Sequence, residues 1–332
     1  MSELHQMLGC ALLTAAVTAV ALQWLLRCEA VLPQDVANWR SLHAGSVPRI
    51  GGVAMAIGFV LSLSLHSLFI GQGDVAQTAV LTAAGLLAIL SFADDWRALP
   101  VVPRLAAHLA AAIAVVVALD LPVQLAVPAV LAIVWMTNLY NFMDGTDGLA
   151  GLMALIGFGA YAIAAWPHAP TLAWWCVGVA AAAAGFLGFN FPPARVFMGD
   201  AGSIPLGFLA ASFGLIGWQE AIWPAWFPLL VFLPFVADAT LTLGRRLAGR
   251  EAVWRAHRDH YYQRLVLMGW SHRRVAVAGA AAMAASAAVA LLLLNLDDFG
   301  QWLGLFGWGV VTVASLAWVD CGWRRNGSSL NH

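Results

Sequence analysis

The sequence contains no lysine, so all 16 of its basic residues are arginines. It therefore lacks the lysine of a phosphate-binding P-loop and any lysine that could form a Schiff base. Charge of either sign is scarce, because acidic and basic residues together make up 10% of the 332 residues. Only four cysteines are present, and they lie inside or near apolar segments, which argues against a disulfide framework.

Apolar residues dominate what is present. They make up 62% of the chain, and the mean hydropathy is +0.81. Apolar stretches of about 20 residues, long enough to cross a bilayer as helices, recur along the whole length. The first stretch has no basic segment before it and no small-residue cleavage site after it, so we interpret it as a retained span. The pattern predicts an all-α polytopic integral membrane protein.

About eleven membrane spans are predicted, forming a single membrane-embedded domain over residues 1–332 without a soluble domain. The segment at 204–217 is short, which suggests a broken or re-entrant helix there. The predicted spans lie at approximately 7–27, 51–70, 78–93, 103–120, 123–138, 149–166, 172–189, 204–217, 225–243, 274–294 and 302–320.

Every arginine falls on one side of the membrane in this topology. Basic residues concentrate in cytoplasmic loops, so the N-terminus is predicted to face out and the C-terminus to lie in the cytoplasm. An error of one span would scatter the arginines over both faces. They are Arg27, Arg40, Arg49, Arg97, Arg104, Arg195, Arg245, Arg246, Arg250, Arg255, Arg258, Arg264, Arg273, Arg274, Arg324 and Arg325.

Five polar motifs share this predicted cytoplasmic face, whereas the short outer loops contain nothing comparable. One polar cluster can cap a helix, but five on one face indicate a site. The predicted active-site loops lie at about 28–50, 94–102, 139–148, 190–203 and 244–273. Their motifs are RSLHAGSVPRIGG, ADDWRALPVVPRL, NLYNFMDGTDGLAG, NFPPARVFMGDAGS and RAHRDHYYQRL.

Structural roles compete with functional ones at the first acidic positions. Asp94 and Asp95 could be solvating charges at a helix end, although the helix dipole disfavours a carboxylate pair there without a cation. Asp147 could cap span 6. Capping does not explain why Asp144 and two asparagines lie beside it, and the stretch lacks the later acids of a calcium loop.

The remaining polar positions also have two interpretations. Asp200 could be a turn residue, but its neighbouring glycines would let backbone N–H groups approach an anion, as phosphate loops do. His257 and His260 could be interfacial side chains, and they are weak evidence for zinc without cysteines nearby. Asp238 is interpreted as a structural ion-pair partner of Arg245 and Arg246.

Carboxylates, amides and arginines at a lipid–water boundary suit a divalent metal and phosphate. Magnesium takes oxygen ligands and is often shared between one or two carboxylates and substrate phosphates. The arginine fork recognises phosphate oxygens in a bidentate manner. The aromatic ring of Phe197 lies within the acidic motifs and offers a face for stacking a base. These residues indicate phosphoryl transfer between a water-soluble nucleotide and a lipid.

The motifs DDWRALPVVPRL, NLYNFMDGTDGLAG and NFPPARVFMGDAGS, in this order, resemble those of the polyprenyl-phosphate N-acetylhexosaminyl-1-phosphate transferases (glycosyltransferase family 4). The resemblance runs from about Arg40 to Leu265 and includes PRIGG after span 1. It implies transfer of a sugar 1-phosphate from a UDP-sugar to undecaprenyl phosphate, with release of UMP. It also implies a requirement for Mg²⁺, or Mn²⁺ in its place, and a multi-pass location in the bacterial inner membrane with a cytoplasmic active site.

The resemblance also implies roles for individual residues. Asp200 would be the metal ligand. The predicted catalytic residues are Asp94, Asp95, Asp144, His257 and His260. The predicted substrate-binding residues are Arg49, Arg104, Asn138, Asn141, Asp147, Asn190, Phe197 and Arg258, with Asp147 towards the uracil edge and Phe197 stacked on the ring. The implied partners are a UDP-N-acetylhexosamine, undecaprenyl phosphate and membrane lipid but no nucleic acid, and a homodimer is left open.

The chain departs from the family pattern in two places. Arg104 stands where many members have a lysine, and the histidine-rich motif is reduced to HRDHYYQRL, a form more like enzymes that initiate O-antigen or capsule glycans. Phospho-N-acetylmuramoyl-pentapeptide transfer remains an alternative. So do a proton-coupled transporter and, with little support, a CDP-alcohol-type phosphotransferase. Direct attack and a covalent aspartyl intermediate also stay open.

Overall fold

The computed structural model describes residues 3–28, 32–36, 45–69, 71, 74–97, 99–252 and 257–327. Helices make up 80% of the structure. They are α1 (Glu3–Arg27), α2 (Gly51–Phe69), α3 (Val75–Arg97), α4 (Val101–Ala118), α5 (Val123–Phe142), α6 (Leu149–Ala165), α7 (Pro170–Asn190), α8 (Asp200–Gln219), α9 (Trp226–Val231), α10 (Leu233–Ala248), α11 (Tyr261–Leu267), α12 (His272–Leu293) and α13 (Asp298–Gly327).

Within the described ranges, nine of these helices are long and apolar enough to cross a membrane, and α6 is a shorter apolar helix. The predicted all-α polytopic fold is confirmed. Each of the eleven predicted spans falls on a helix or, for 225–243, on the pair α9 and α10. Several helices are longer than predicted, because polar residues at their ends continue the backbone hydrogen bonding beyond the apolar stretch.

These longer helices move several predicted loop residues into helical turns. Asp94 and Asp95 lie in the last turn of α3 instead of in a loop at 94–102. Asn141 lies in the last turn of α5, and Asp200 is the first residue of α8. The ends of α3, α5 and α8 therefore fix the positions of these four side chains.

The helix break lies in a different place from the one predicted. Residues 204–217 belong to the continuous helix α8, so the discontinuity expected there is wrong. The break separates α9 from α10 at Phe232, two residues before Pro234. A proline ring removes the N–H that would bond to the carbonyl four residues earlier. That carbonyl, on Leu230, accepts a hydrogen bond from the Ser286 hydroxyl instead, at 2.6 Å.

A short antiparallel ribbon, absent from the predictions, precedes α2. Its strands are β1 (Gln34–Val36) and β2 (Ser46–Pro48), with Asp35 opposite Val47. The ribbon belongs to the predicted loop 28–50, of which residues 29–31 and 37–44 lie outside the described residues. Residues 253–256 of the predicted loop 244–273 lie outside them as well.

The helix α8 lies at the centre of the bundle and is the most deeply buried of the long helices, followed by α7. It packs against α3 and α5, and its first turn lies directly against the start of α2. A Cβ atom on Gly52 would overlap the backbone of Gly202, so these two helices meet through glycine. This close approach brings the first turn of α8 into contact with the surrounding helix ends.

Candidate active site

Asp94 and Asp95 are adjacent in sequence but have different partners. The Oδ1 atom of Asp94 accepts a hydrogen bond from the Leu99 N–H at 2.6 Å, and its Oδ2 atom lies 2.8 Å from Nη1 of Arg104. The carboxylate of Asp95 is fully buried and accepts hydrogen bonds from the N–H groups of Asp200 and Ala201 at 3.1 and 3.0 Å. Asp94 is thus paired with a cation, whereas Asp95 holds the first turn of α8.

The position of Asp95 changes the interpretation of the loop before α8. Gly199 has φ +73, and a Cβ there would lie 2.7 Å from Oδ2 of Asp95. The glycine does allow an anion to approach the first N–H groups of α8, as the sequence suggested. In the structure, that anion is the carboxylate of Asp95, so these two N–H groups are occupied from within the protein.

Asp200 begins α8 and is held from two sides. Its Oδ1 atom accepts a hydrogen bond from Nδ2 of Asn141 at 2.8 Å, and the same nitrogen donates to the Ser203 hydroxyl at 2.9 Å. Its Oδ2 atom lies 3.8 Å from Nη2 of Arg104. With 24% of its side chain exposed, Asp200 keeps one oxygen turned towards a cation and open to a ligand.

Arg49 supplies a second cation beside these acids. Its Nη2 atom lies 2.8 Å from Oδ1 of Asp35, and its Nη1 atom lies 3.7 Å from Oδ1 of Asp95. Burial alone lowers the pKa of Arg49, but the charges of Asp35 and Asp95 outweigh it and raise the pKa above its usual value. Since 32% of its side chain remains exposed, Arg49 can also reach a bound anion.

Asp144, in the connection from α5 to α6, is the least satisfied acid of the set. Across the described ranges, its carboxylate has no hydrogen bond and no cation within 4 Å. Burial and the charge of Asp200 raise the pKa of Asp144 well above its usual value. A carboxylate in this position needs either a proton or a cation.

The donor set fits a hard divalent cation that also binds the substrate. No group of three or more His, Cys, Asp or Glu side chains forms a ready-made metal cage in the described part of the chain. Magnesium is commonly held by one or two carboxylates, with substrate phosphates and water completing the coordination. Asp200 and the unpaired Asp144, whose charges interact, provide such a pair.

Asp147 and Asn190 bind the neighbouring loops together. Asp147 accepts a hydrogen bond from the Ala194 N–H at 3.0 Å, and its Oδ1 atom lies 3.3 Å from Nδ1 of His272. Although burial raises the pKa of Asp147, these two partners lower it below its usual value. The Asn190 side chain accepts from the Gly148 N–H and donates to the Val196 carbonyl. Both side chains therefore organise the loops beside the acidic cluster.

The histidine motif lies on the other side of α5. The ring of His260 is 3% exposed, and its Nδ1 atom lies 3.0 Å from Oδ1 of Asp238. Asp238 was predicted to pair with Arg245 and Arg246, and that prediction is wrong. Among the described residues, Arg245 pairs with Asp320, and Arg246 pairs with Glu251 and Asp259.

His257 lies close to His260, with ring centroids 5.0 Å apart. Its Nδ1 atom accepts a hydrogen bond from the Asp259 N–H at 3.3 Å. Burial, His260 and the nearby charge of Arg246 lower the pKa of His257 to about 4. His257 is therefore neutral at physiological pH. Arg258 lies between the two histidines in sequence and is partly buried.

Two other predicted residues are at the site but have mainly local partners. The Asn138 side chain donates to the Val134 carbonyl at 2.7 Å and lies near His108, which is on α4 one turn after Arg104. Phe197 is partly buried, and its backbone pairs with Pro48 and Gly51. These contacts join α4 to α5 and the ribbon to α2.

The structure thus brings the predicted acids Asp94, Asp95, Asp144 and Asp200 to one end of the bundle with Arg49, Arg104 and Asn141. Asp147 and Asn190 lie beside this cluster, and His257 and His260 lie beyond α5. Sequence reasoning missed several contributors. The topology offered a signal for His272, because it begins a helix on the arginine-bearing side. No sequence signal pointed to Asp35 or His108. Tyr262 was seen only as part of the histidine motif, and Asp238 was assigned the wrong partner.

The family model described as glycosyl transferase family 4 matches residues 77–217. A probable undecaprenyl-phosphate N-acetylglucosaminyl 1-phosphate transferase of Bacillus subtilis is 29% identical over 258 residues, covering 72% of this chain and 71% of that protein. A phospho-N-acetylmuramoyl-pentapeptide-transferase of Enterococcus faecalis is 27% identical over 275 residues, 74% of this chain and 83% of the relative. One from Geobacillus kaustophilus is 36% identical over 147 residues, 42% of this chain and 43% of the relative.

The matched segment 77–217 begins in α3 and ends in α8, so it contains the acidic cluster at their junction. The chain is thus a polytopic membrane protein that resembles glycosyl transferase family 4 over this segment, as its motifs predicted.

Proposed function

We propose that this protein transfers N-acetylhexosamine 1-phosphate from a UDP-sugar to undecaprenyl phosphate, giving undecaprenyl-diphosphate-N-acetylhexosamine and UMP. The observation that carries the proposal is the convergence of Asp94, Asp144 and Asp200 with two partly exposed arginines at one end of an apolar helix bundle. Such a site would offer cations to phosphate groups at the membrane surface, where the phosphate of a lipid acceptor lies.

The residues of the site would divide the work between binding and positioning. Arg104 and Arg49 would bind the phosphate oxygens, since a guanidinium group matches their geometry. Asn141 and Asp95 would hold Asp200 and the first turn of α8 in place. Pre-set charges of this kind stabilise a phosphoryl transition state without reorganising as the reaction proceeds.

Asp200, with Asp144 beside it, would hold the divalent cation. When bound, Mg²⁺ or Mn²⁺ would neutralise and align the phosphate oxygens. The electrostatic contact between these two carboxylates supports the assignment, because a shared cation relieves their repulsion. Asp200 is thus proposed as a ligand of the cation, as the motif predicted.

The reaction would proceed by in-line attack of an acceptor phosphate oxygen on the β-phosphorus of the UDP-sugar. A bond forms between that oxygen and the β-phosphorus, while the bond from the β-phosphorus to the bridging oxygen breaks. The bridging oxygen leaves with UMP. A phosphate monoester has a second pKa near ~6, so the acceptor is mostly a dianion at neutral pH. The protein therefore has mainly to neutralise charge, align the phosphates and exclude water.

The identity of the transferred sugar is the most specific part of the proposal. One relative is named for N-acetylglucosaminyl 1-phosphate transfer and others for the muramoyl-pentapeptide. The reduced histidine motif supports a simple N-acetylhexosamine and a role in starting an O-antigen or capsule glycan. A proton-coupled transporter would place its acids near the middle of the bilayer. The acids of this site lie at helix ends, which favours interfacial chemistry over transport.

The proposed location is the bacterial inner membrane with the site facing the cytoplasm, because the arginines in the described part of the chain all belong to that end of the bundle. Cys321 is exposed near the C-terminus of α13, on the same end as the site. A membrane-impermeant maleimide should therefore label Cys321 in inverted vesicles and leave it unlabelled in intact cells. The opposite result would reverse the proposed orientation.

The decisive experiment measures UMP release by purified protein supplied with undecaprenyl phosphate, Mg²⁺ and one UDP-sugar at a time. The panel contains UDP-N-acetylglucosamine, UDP-N-acetylfucosamine, UDP-N-acetylquinovosamine and UDP-N-acetylmuramoyl-pentapeptide. We expect turnover with one of the first three, abolished by chelation and restored by Mg²⁺ or Mn²⁺. Turnover with the pentapeptide alone would reassign the substrate, and flux across liposomes without product would favour the transporter.

A further inference from the structure

The carboxylate of Asp238 makes three hydrogen bonds to consecutive residues of the histidine motif. Its Oδ1 atom lies 3.0 Å from Nδ1 of His260 and accepts from the Tyr261 N–H at 3.0 Å. Its Oδ2 atom accepts from the Tyr262 N–H at 3.1 Å. Asp238 lies on α10 and is 4% exposed, so it is shielded from water and its hydrogen bonds go to the start of α11.

Two aromatic rings also pack against the ring of His260. It stacks on Tyr262 with centroids 5.8 Å apart and on Phe142 with centroids 6.3 Å apart. The Tyr262 hydroxyl donates to the Phe142 carbonyl at 3.1 Å, which ties α11 to the end of α5. Phe142 follows Asn141, the residue that holds Asp200. The imidazole is therefore held against the end of α5, the helix whose last turn also carries Asn141.

A buried carboxylate next to one imidazole nitrogen decides where the ring carries its proton. Asp238 can only accept, so in the neutral ring the proton must lie on Nδ1 of His260. Nε2 is then left with its lone pair, and across the described residues no hydrogen bond reaches it. Carboxylates orient catalytic and metal-binding histidines by the same means.

We propose that Asp238 is a positioning residue that fixes the tautomer and orientation of His260, so that Nε2 is the atom presented to the phosphates of the substrates. The proposal rests on the proposed function for the identity of that ligand. The placement of the proton is a property of the protein alone. Asp238 itself touches no substrate and acts only through the imidazole and the start of α11.

The competing interpretation is that Asp238 only anchors the start of α11. Asp320 on α13 provides the matched comparison, because it holds the same short helix without touching His260. It accepts from Nη1 of Arg264 at 3.0 Å and from the Tyr261 hydroxyl at 3.3 Å, and it also pairs with Arg245. Loss of Asp320 should loosen α11 while leaving the proton of His260 where it is.

The first experiment locates the proton directly. Protein labelled with ¹⁵N-histidine is studied by NMR at a pH where imidazole is neutral, and the signal of His260 is identified by its loss in His260→Gln. We expect the Nδ1–H form in the wild type and in Asp320→Asn, and a shift towards Nε2–H in Asp238→Asn, whose amide can donate to Nδ1. An Nε2–H ring in the wild type would overturn the proposal.

The second experiment asks whether Asp238 acts through His260. We expect Asp238→Asn to lower kcat by about 10–100-fold, with the KM values of both substrates nearly unchanged. Asp238→Glu should recover part of that loss. In the His260→Gln background, Asp238→Asn should cause no further loss of kcat. Independent effects that multiply in the double variant would show a role in anchoring alone and would overturn the proposal.

The outcomes separate this inference from the proposed function. If the wild type releases no UMP with any UDP-sugar, the proposed function fails, while the NMR measurement still tests Asp238. If Asp238→Asn does not fold, the wild-type tautomer and the Asp238→Glu variant decide. An unchanged tautomer in Asp238→Glu together with retained turnover supports the proposal, and loss of the Nδ1–H form with full activity contradicts it.

Discussion

Aspartates lie at both ends of the helix bundle, but their partners differ. At the end away from the site, Asp74 accepts a hydrogen bond from the Gln77 N–H at 2.7 Å, and Asp297 accepts one from the Gly300 N–H at 2.9 Å. Each of these acids caps a helix and is exposed. At the site end, Asp94 and Asp200 share an arginine, and Asp95 is fully enclosed.

The arginines account for much of this difference. In the described ranges, all of them belong to the site end, and the far end has acids without basic partners. A capping carboxylate exposed to water needs no cation, whereas several carboxylates brought together under protein cover repel one another and need one. The site end therefore differs from the far end in how its aspartates are neutralised, since aspartate itself occurs at both ends.

Removal of one carboxylate at each end should give the largest difference in activity. We expect Asp200→Asn to lower kcat by about 10³-fold, because it removes a charge that acts on the reacting phosphates. Asp74→Asn, at the far end, should leave kcat unchanged. Steady-state UMP release measures both. Similar losses in the two variants would mean that the acids at both ends serve stability.

Arg104 tests whether the cation is as important as the acids. We expect Arg104→Gln to lower kcat by about 10²-fold, since it leaves the buried Asp94 unpaired and removes a phosphate ligand. Arg104→Lys should keep the charge but lose the fork, with a smaller loss. The matched control is Arg97→Gln, which changes an exposed arginine at the end of α3. Equal activity in the Gln and Lys variants would show that no positive charge is required at this position.

The close contact between α2 and α8 should be sensitive to a single methyl group. We expect Gly52→Ala to lower the free energy of unfolding by about 1–3 kcal/mol, because the new Cβ meets the backbone of Gly202. Gly85→Ala adds the same methyl group where no atom lies within 4 Å, and helix propensity should make it neutral or slightly stabilising. Thermal unfolding in detergent distinguishes them. Equal destabilisation would contradict this packing.

The smallest effect concerns pH. The folded pKa of His257 is about 4, below the ordinary value of 6.5, so between these values only the unfolded chain binds a proton at this ring. Its contribution to stability is therefore present above pH 6.5 and is lost as the pH falls towards 4. His257→Gln should flatten the decline of the unfolding midpoint across that window, whereas substitution of the exposed His168 at the far end should not. An unchanged slope in His257→Gln would contradict this.

Much of the fold was predictable because hydropathy reports burial in lipid directly. The all-α polytopic fold is confirmed, and the eleven predicted spans fall on the helices. The position of the helix break was predicted wrongly at 204–217. A short apolar segment does not show that its helix is interrupted, whereas Pro234 lacks the N–H that would continue the helix from α9 into α10. The orientation of the bundle in the membrane stays a prediction.

The candidate site was predictable as a set of residues but not as a set of contacts. The motifs located Asp94, Asp95, Asp144 and Asp200, and the structure brings them together, while their catalytic roles stay predictions. Asp95 lies 105 residues from its partner Asp200. The spacing of a motif contains no information about which of two adjacent carboxylates will turn towards another helix.

By itself, the sequence determined that the chain crosses a membrane many times and that its arginines and polar motifs share one end. Both follow from the cost of burying charge in lipid, which is a local property of each segment. Only the tertiary structure showed that Asp95 caps α8, that burial and the charge of Asp200 act on Asp144, and that Asp238 holds His260. Those pairings depend on how each helix is rotated about its axis and how closely its neighbours approach, and helix–helix packing sets both.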